Sequence, residues 1–211
     1  MPRPNNSQIA ADNARRRFLT YDQSAIVAKS PVTFDDAYLY LSVLDQTCRI
    51  DRHTGHIEWS CNSGWSPGDD FNTTLTIFDY LCDAAPNRRP SGQLKSMASF
   101  GHMFHTGLLE DPSALERFID RSPAAFTRAC TLLGGTPFLN CDLGFTIPFF
   151  PDLSVTVQFW HSDEEFPPRL RFLWDSSANQ YLRYETMYYA LGLLRTRLET
   201  LMEEAVNCFQ I

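Results

Sequence analysis

The sequence predicts an α+β fold: a single domain over residues 1–211, with a small antiparallel β-sheet of hairpins packed against several helices and a long C-terminal helix. Three observations predict it. The patterns run helix, strands, helices, strands, helix. The strand-like runs are short and separated by turns, as in antiparallel meanders. The last stretch carries one apolar stripe at helical spacing. Length and composition agree, since 211 residues with 44% apolar and 13% aromatic content can bury about 70% of their unfolded surface without staples.

From Ser7 to about Ala28, Ile9, Ala10, Ala14, Phe18 and Leu19 recur near helical spacing, and the Arg15-Arg16-Arg17 triplet reads as a solvated face. Ala37-Tyr38-Leu39-Tyr40-Leu41, Thr47-Cys48-Arg49-Ile50-Asp51 and His56-Ile57-Glu58-Trp59 form a meander with a Thr54-Gly55 turn. The stretch 64–70 is a loop by composition, and Asp70 or Asn72 caps a helix carrying Leu75, Phe78, Leu81 and Cys82. The cluster of Pro, Asn, Ser and Gly at 85–92 is a loop or mobile segment. Asp111-Pro112-Ser113 and Ser122-Pro123 each open a helix, and Gly134-Gly135 stops the second. Around 144–148, 153–160 and 169–174 the chain reads as strands, the last two pairing as a hairpin. Asp175-Ser176-Ser177 then caps the final helix, whose stripe runs from Tyr181 through Tyr184, Tyr188, Leu191 and Leu194 to Ala205.

Eighteen basic residues against 25 acidic give a net charge of −7, the wrong sign for a phosphate-tracking protein, so no nucleic-acid partner is expected. No apolar run approaches ~18 residues, so no membrane partner is expected either. The opening Met1-Pro2-Arg3-Pro4-Asn5-Asn6-Ser7 lacks the apolar stretch of a signal peptide, which points to the cytoplasm. None of the six cysteines forms a Cys-x-x-Cys pair. They read as free thiols, mostly small apolar core residues.

The connection His161-Ser162-Asp163-Glu164-Glu165-Phe166-Pro167-Pro168 is the most informative segment, with three consecutive carboxylates and a histidine flanked by Trp160 and Trp174. Carboxylates beside imidazole suit metal ligation or proton transfer; equally, such a loop can be a solvated turn. His102 and His105 stand three apart, a spacing that puts both on one helix face for metal ligation. His-Glu-x-x-His, phosphate-cradling glycine loops and the serine nucleophile elbow are all absent.

Phe150-Pro151-Asp152-Leu153, Trp160-His161-Ser162-Asp163-Glu164-Glu165-Phe166-Pro167, Leu173-Trp174-Asp175, Tyr181-Leu182 and Glu185 together resemble the carboxy-terminal signature of the domain of unknown function 3786 family. The amino half is similar in Thr47-Cys48-Arg49-Ile50-Asp51 and the Thr54-Gly55 turn, so the resemblance covers roughly residues 10–200. It implies a protein typical of anaerobic bacteria and archaea, and an accessory role in metallocofactor or one-carbon metabolism. The chain departs from members carrying an iron–sulfur module, because it has no such cysteine cluster. The resemblance carries over Trp160, Asp163, Glu164, Glu165 and Phe166 as site residues, supported by Asp175 and Glu185.

The expected function is a cytoplasmic accessory or binding domain. It recognises a metal, a metallocofactor or a partner protein, with Trp160, Phe166 and Trp174 as an apolar shelf and Asp163, Glu164 and Glu165 as ligands. The alternative is a metal-assisted hydrolase or transferase that uses His161, or His102 and His105, with one of the acids.

Overall fold

The computed structural model describes residues 5–101 and 114–208. Helix α1 (Asn6–Thr20) opens with a reciprocal cap between Asn5 and Gln8. The single helix expected to reach Ala28 is two helices. Tyr21 is extended, and the Asp22 carboxylate accepts from Ser24 N to start α2 (Gln23–Lys29) afresh. Nor is the arginine triplet a solvated face. Arg16 is exposed, but Arg15 donates to Gly55 O and Asp69, and Arg17 reaches Asp79 and Asp83.

The first sheet pairs β1 (Thr33–Phe34), β2 (Tyr38–Val43), β3 (Gln46–Asp51), β4 (Ile57–Cys61) and β5 (Gly64–Pro67) antiparallel in sequence order. Alternation turns Leu39, Leu41, Val43, Cys48 and Ile50 inward. At the Thr54-Gly55 turn, Gly55 has φ +70°, and a Cβ there would stand 2.7 Å from Arg15 Cγ, so glycine suits both the angle and the approach. β5 occupies part of the stretch expected to be a loop, because four residues are too few to show a period. Helix α3 (Phe71–Asp83) follows, capped as expected by Asp70, which accepts from Thr73 N.

The second sheet has the order β6 (Leu94–Ser96), β10 (Arg169–Asp175), β9 (Leu153–Trp160), β8 (Leu143–Phe150), β7 (Thr136–Pro137), all antiparallel. β9 and β10 form the expected hairpin, registered from Arg169 opposite Trp160 to Trp174 opposite Val155. Between β6 and β7 in sequence lie α4 (Ala114–Arg121) and α5 (Pro123–Leu132); the latter starts at the predicted Pro123 and ends before Gly134, at φ +72°.

The cluster at 85–92 is a loop, fastened at two points. The Arg88 side chain, 2% exposed, lies between the rings of Tyr80 (5.0 Å) and Tyr181 (4.9 Å). Its Nη1 donates to Lys29 O at 2.8 Å, and its Nη2 forms an ion pair with Asp152 at 2.8 Å without hydrogen-bond alignment. Tyr80 donates to the other Asp152 oxygen at 2.6 Å. Asp175 is the second fastener. Its carboxylate accepts from Ser91 N and Oγ and from Gly92 N on the loop, and from Ser177 N and Oγ beside it. Asp175 therefore caps no helix. A 3₁₀ turn (Ala178–Gln180) intervenes, and α6 (Tyr184–Cys208) starts later than expected, leaving Tyr181 outside it.

Leu191, Leu194, Leu198, Leu201 and Ala205 are buried along α6, which packs on α3 and α5. Arg197 on this helix grips the Asp45 carboxylate with Nε and Nη2, at 2.9 and 2.5 Å, in the β2–β3 turn. Leu44 N in the same turn donates to Phe149 O of the second sheet, and one contiguous buried cluster spans both sheets. Cys48, Cys82 and Cys130 belong to it, as expected, whereas Cys61 is exposed. Among the described residues no helix is long and apolar enough to cross a membrane.

Candidate functional site

The β9–β10 hairpin ends in a tip that is rigid below and bare above. At its base, Leu170 N donates to the buried Glu116 of α4 at 2.9 Å. His161 N donates to Asp142 at 2.8 Å, and the His161 ring contacts Asp120 of α4 through Nδ1 at 2.8 Å. Asp120 also accepts from Ser162 Oγ at 2.6 Å and from Ser162 N. The Ser162 hydroxyl first and His161 second hold the Asp120 carboxyl below its ordinary range. At the turn itself, Asp163 Oδ1 accepts from Glu165 N (2.8 Å) and Phe166 N (2.7 Å), and Asp163 N donates to Phe166 O. Asp163 is thus the residue that shapes the turn.

Above this scaffold Glu164 and Glu165 are exposed, and their carboxylates carry no hydrogen bond or ion pair among the described residues. Phe166 is 65% exposed. The arrangement presents two free negative charges beside one free aromatic ring, on a backbone held in place before anything arrives.

The other residues carried over by the resemblance lie elsewhere. Trp160 is half-buried at the hairpin base. Trp174 cannot share a shelf with Phe166: it is fully buried, edge-on to Phe149 at 5.9 Å, and five residues past Arg169 along β10 is about 17 Å. Asp175 fastens the 85–92 loop. Burial alone would raise its carboxyl, but the hydrogen bonds from Ser177 and Ser91 outweigh that and hold it well below the usual carboxylate range. Glu185 is exposed in the first turn of α6.

His161 meets one carboxylate that is already shared with Ser162, and the Ser162 hydroxyl donates to that carboxylate rather than to the imidazole. Serine and histidine are therefore not arranged as nucleophile and base. Among the described residues no group of three His, Cys, Asp or Glu could hold a metal ion. His102 and His105 lie outside the described residues.

A second feature was missed in the sequence reading. Between α1, α3 and the start of α6 opens a cleft of about 650 Å³. At its inner end Asp79, 5% exposed, accepts from Arg17 Nη2 at 2.5 Å and from the Thr186 hydroxyl. Asp83 next to it pairs with Arg17 at 2.9 Å and Arg183 at 2.6 Å. Burial first, with the neighbouring Asp79 charge adding to it, lifts the Asp83 carboxyl above its ordinary value despite these cations. One signal was available: Asp79 interrupts the apolar run Ile77-Phe78-Asp79-Tyr80-Leu81, where a buried carboxylate requires a partner.

No curated protein and no solved structure matches the chain. Residues 22–197 match the family described as Domain of unknown function (DUF3786), and that span is most of the molecule. The acidic tip, the Arg88 fastener and most of the cleft fall inside it, and the chain belongs to this family.

Proposed function

We propose that the chain is a cytoplasmic accessory or binding domain that recognises a partner protein through the β9–β10 tip. One observation carries this reading: Asp163, Asp120, Asp142 and Glu116 are spent on holding the hairpin, while Glu164, Glu165 and Phe166 are left exposed. A partner with a basic rim around an apolar pocket fits that tip. Phe166 would supply roughly 1.5–3 kcal/mol on full burial, and the acids would govern the on-rate and its salt dependence. The net charge of −7 favours a basic partner and disfavours nucleic acid. A component of metallocofactor or one-carbon metabolism is the partner class that the family resemblance suggests. Among the described residues, metal-assisted hydrolase or transferase chemistry would rest on His161 and Asp120, a thinner basis than the tip.

The test uses the full chain as bait, unaltered and as the variant Glu164→Lys, Glu165→Lys, Phe166→Ala. Asp163 is kept, because removing it would reshape the turn. A partner retained by the unaltered chain, lost with the variant and released by added salt supports the reading. Identical retained proteins on both baits, with the variant folded, refute it.

A further inference from the structure

The cleft between α1, α3 and α6 shares no residue with the tip, and its charges are unevenly matched. Arg17 and Arg183 are answered by Asp79 and Asp83. Glu185 at the mouth has no hydrogen bond or ion pair among the described residues. Both arginines are thus engaged, Asp83 reaching them from outside the lining, and among the described residues Glu185 is the lining charge left without a counter-ion. The walls carry apolar side chains. Phe71 and Tyr189 meet edge to face at 4.9 Å, Leu75 stands beside them, and Ala10 and Ala14 of α1 are small enough to leave the space open. Glu185 and Asp79 face the same volume as Tyr189: after burial, their charges are what push its phenol upward.

From these observations we propose that the cleft binds an organic ammonium cation with an apolar body. The cation pairs with Glu185, the lining carboxylate without a counter-ion among the described residues. The apolar body fills the Phe71, Leu75 and Tyr189 end. An anion would meet Glu185 and Asp79, and would have to draw the arginines from their carboxylates. A bare metal ion would find one free carboxylate, since both Asp79 oxygens are engaged. The volume of about 650 Å³ lies in the range of small-molecule sites.

Calorimetric titration of the full chain with phenethylamine, phenethyl alcohol and hydrocinnamate at neutral pH tests this, since the three share an aromatic body and differ in head charge. The amine binds most tightly. Glu185→Gln weakens the amine by roughly twofold to fivefold and leaves the alcohol unchanged; Leu75→Trp, which fills the cleft, removes binding of all three. Two results overturn the proposal: no amine binding at millimolar concentration, or amine binding that Glu185→Gln leaves intact. Because the tip plays no part here, this outcome is independent of the partner-capture result.

Discussion

Replacing Arg88 by alanine should be among the most damaging single changes outside the apolar core. The side chain is 2% exposed and sits in a loop that composition alone marks as expendable. Its charged hydrogen bond to Lys29 O is worth roughly 1.5–3 kcal/mol. The stacking on Tyr80 and Tyr181 adds about 0.5–2 kcal/mol per ring. The ion pair adds little, because Asp152 is 33% exposed and water re-solvates it. Against these stands roughly 2 kcal/mol of arginine rotamer entropy released by the truncation. A net loss of about 3 kcal/mol remains, or about 6–12 °C in Tm for a chain of this size. Urea unfolding of the full chain measures it. Arg89→Ala is the control: the neighbouring side chain is exposed and should cost less than about 0.5 kcal/mol. Arg88→Lys should recover little, because a lysine cannot stack as a plane between two rings. Equal midpoints for Arg88→Ala and Arg89→Ala would refute the reasoning.

Two further predictions concern titration and reactivity. The folded carboxyl of Asp175 is held below its unfolded value of about 3.9, so its stabilisation is present above that pH and fades as pH falls towards the folded value. Asp175→Asn should thus cost about 1.5–3 kcal/mol at neutral pH, with the gap to the unaltered protein narrowing below about pH 4 in denaturant titrations. A gap constant down to the acid limit would show that the carboxylate charge is irrelevant to the fastening. Among thiols, Cys61 is exposed, and its hydrogen bonds to Ser63 hold it below its ordinary value. Burial pushes Cys48 up to about 12 and raises Cys130 as well. A brief alkylation pulse followed by peptide mapping should label Cys61 more than about tenfold faster than either.

What could be read from the residues was what is locally encoded. The Ser122-Pro123 start and the Asp70 cap each declare themselves within a few residues, and the structure keeps both. The strand at 153–160 is kept too, but it is not half-buried, since Thr156 and Gln158 are buried along with Val155, Val157 and Phe159. The two-residue strands β1 and β7 show no period, so they escaped notice. Trp174 was assigned to the tip because it flanks the acids in sequence, yet its parity with the buried Leu170 and Phe172 already pointed it inward. The cleft was hidden for a different reason. Its ion pairs join residues 62 and 66 positions apart, and such pairings follow from how α1, α3 and α6 pack rather than from any local pattern. Arg17 accordingly looked like part of a solvated triplet until Asp79 and Asp83 were placed beside it.

The clasp between Asp45 and Arg197 spans 152 positions, which bears on the order of events during synthesis. At roughly 5–20 residues per second, a ribosome needs about 8–30 s to deliver the second half of that clasp after the first. Throughout this interval the nascent amino-terminal sheet exists without its final helix. Its outer strands suit such a wait: β1 has two residues, and β5 ends at Pro67, which has no amide hydrogen to offer a neighbouring chain. A stalled chain released before Tyr184 would keep both strands but never close the clasp, and quality-control proteases would meet it in that open form.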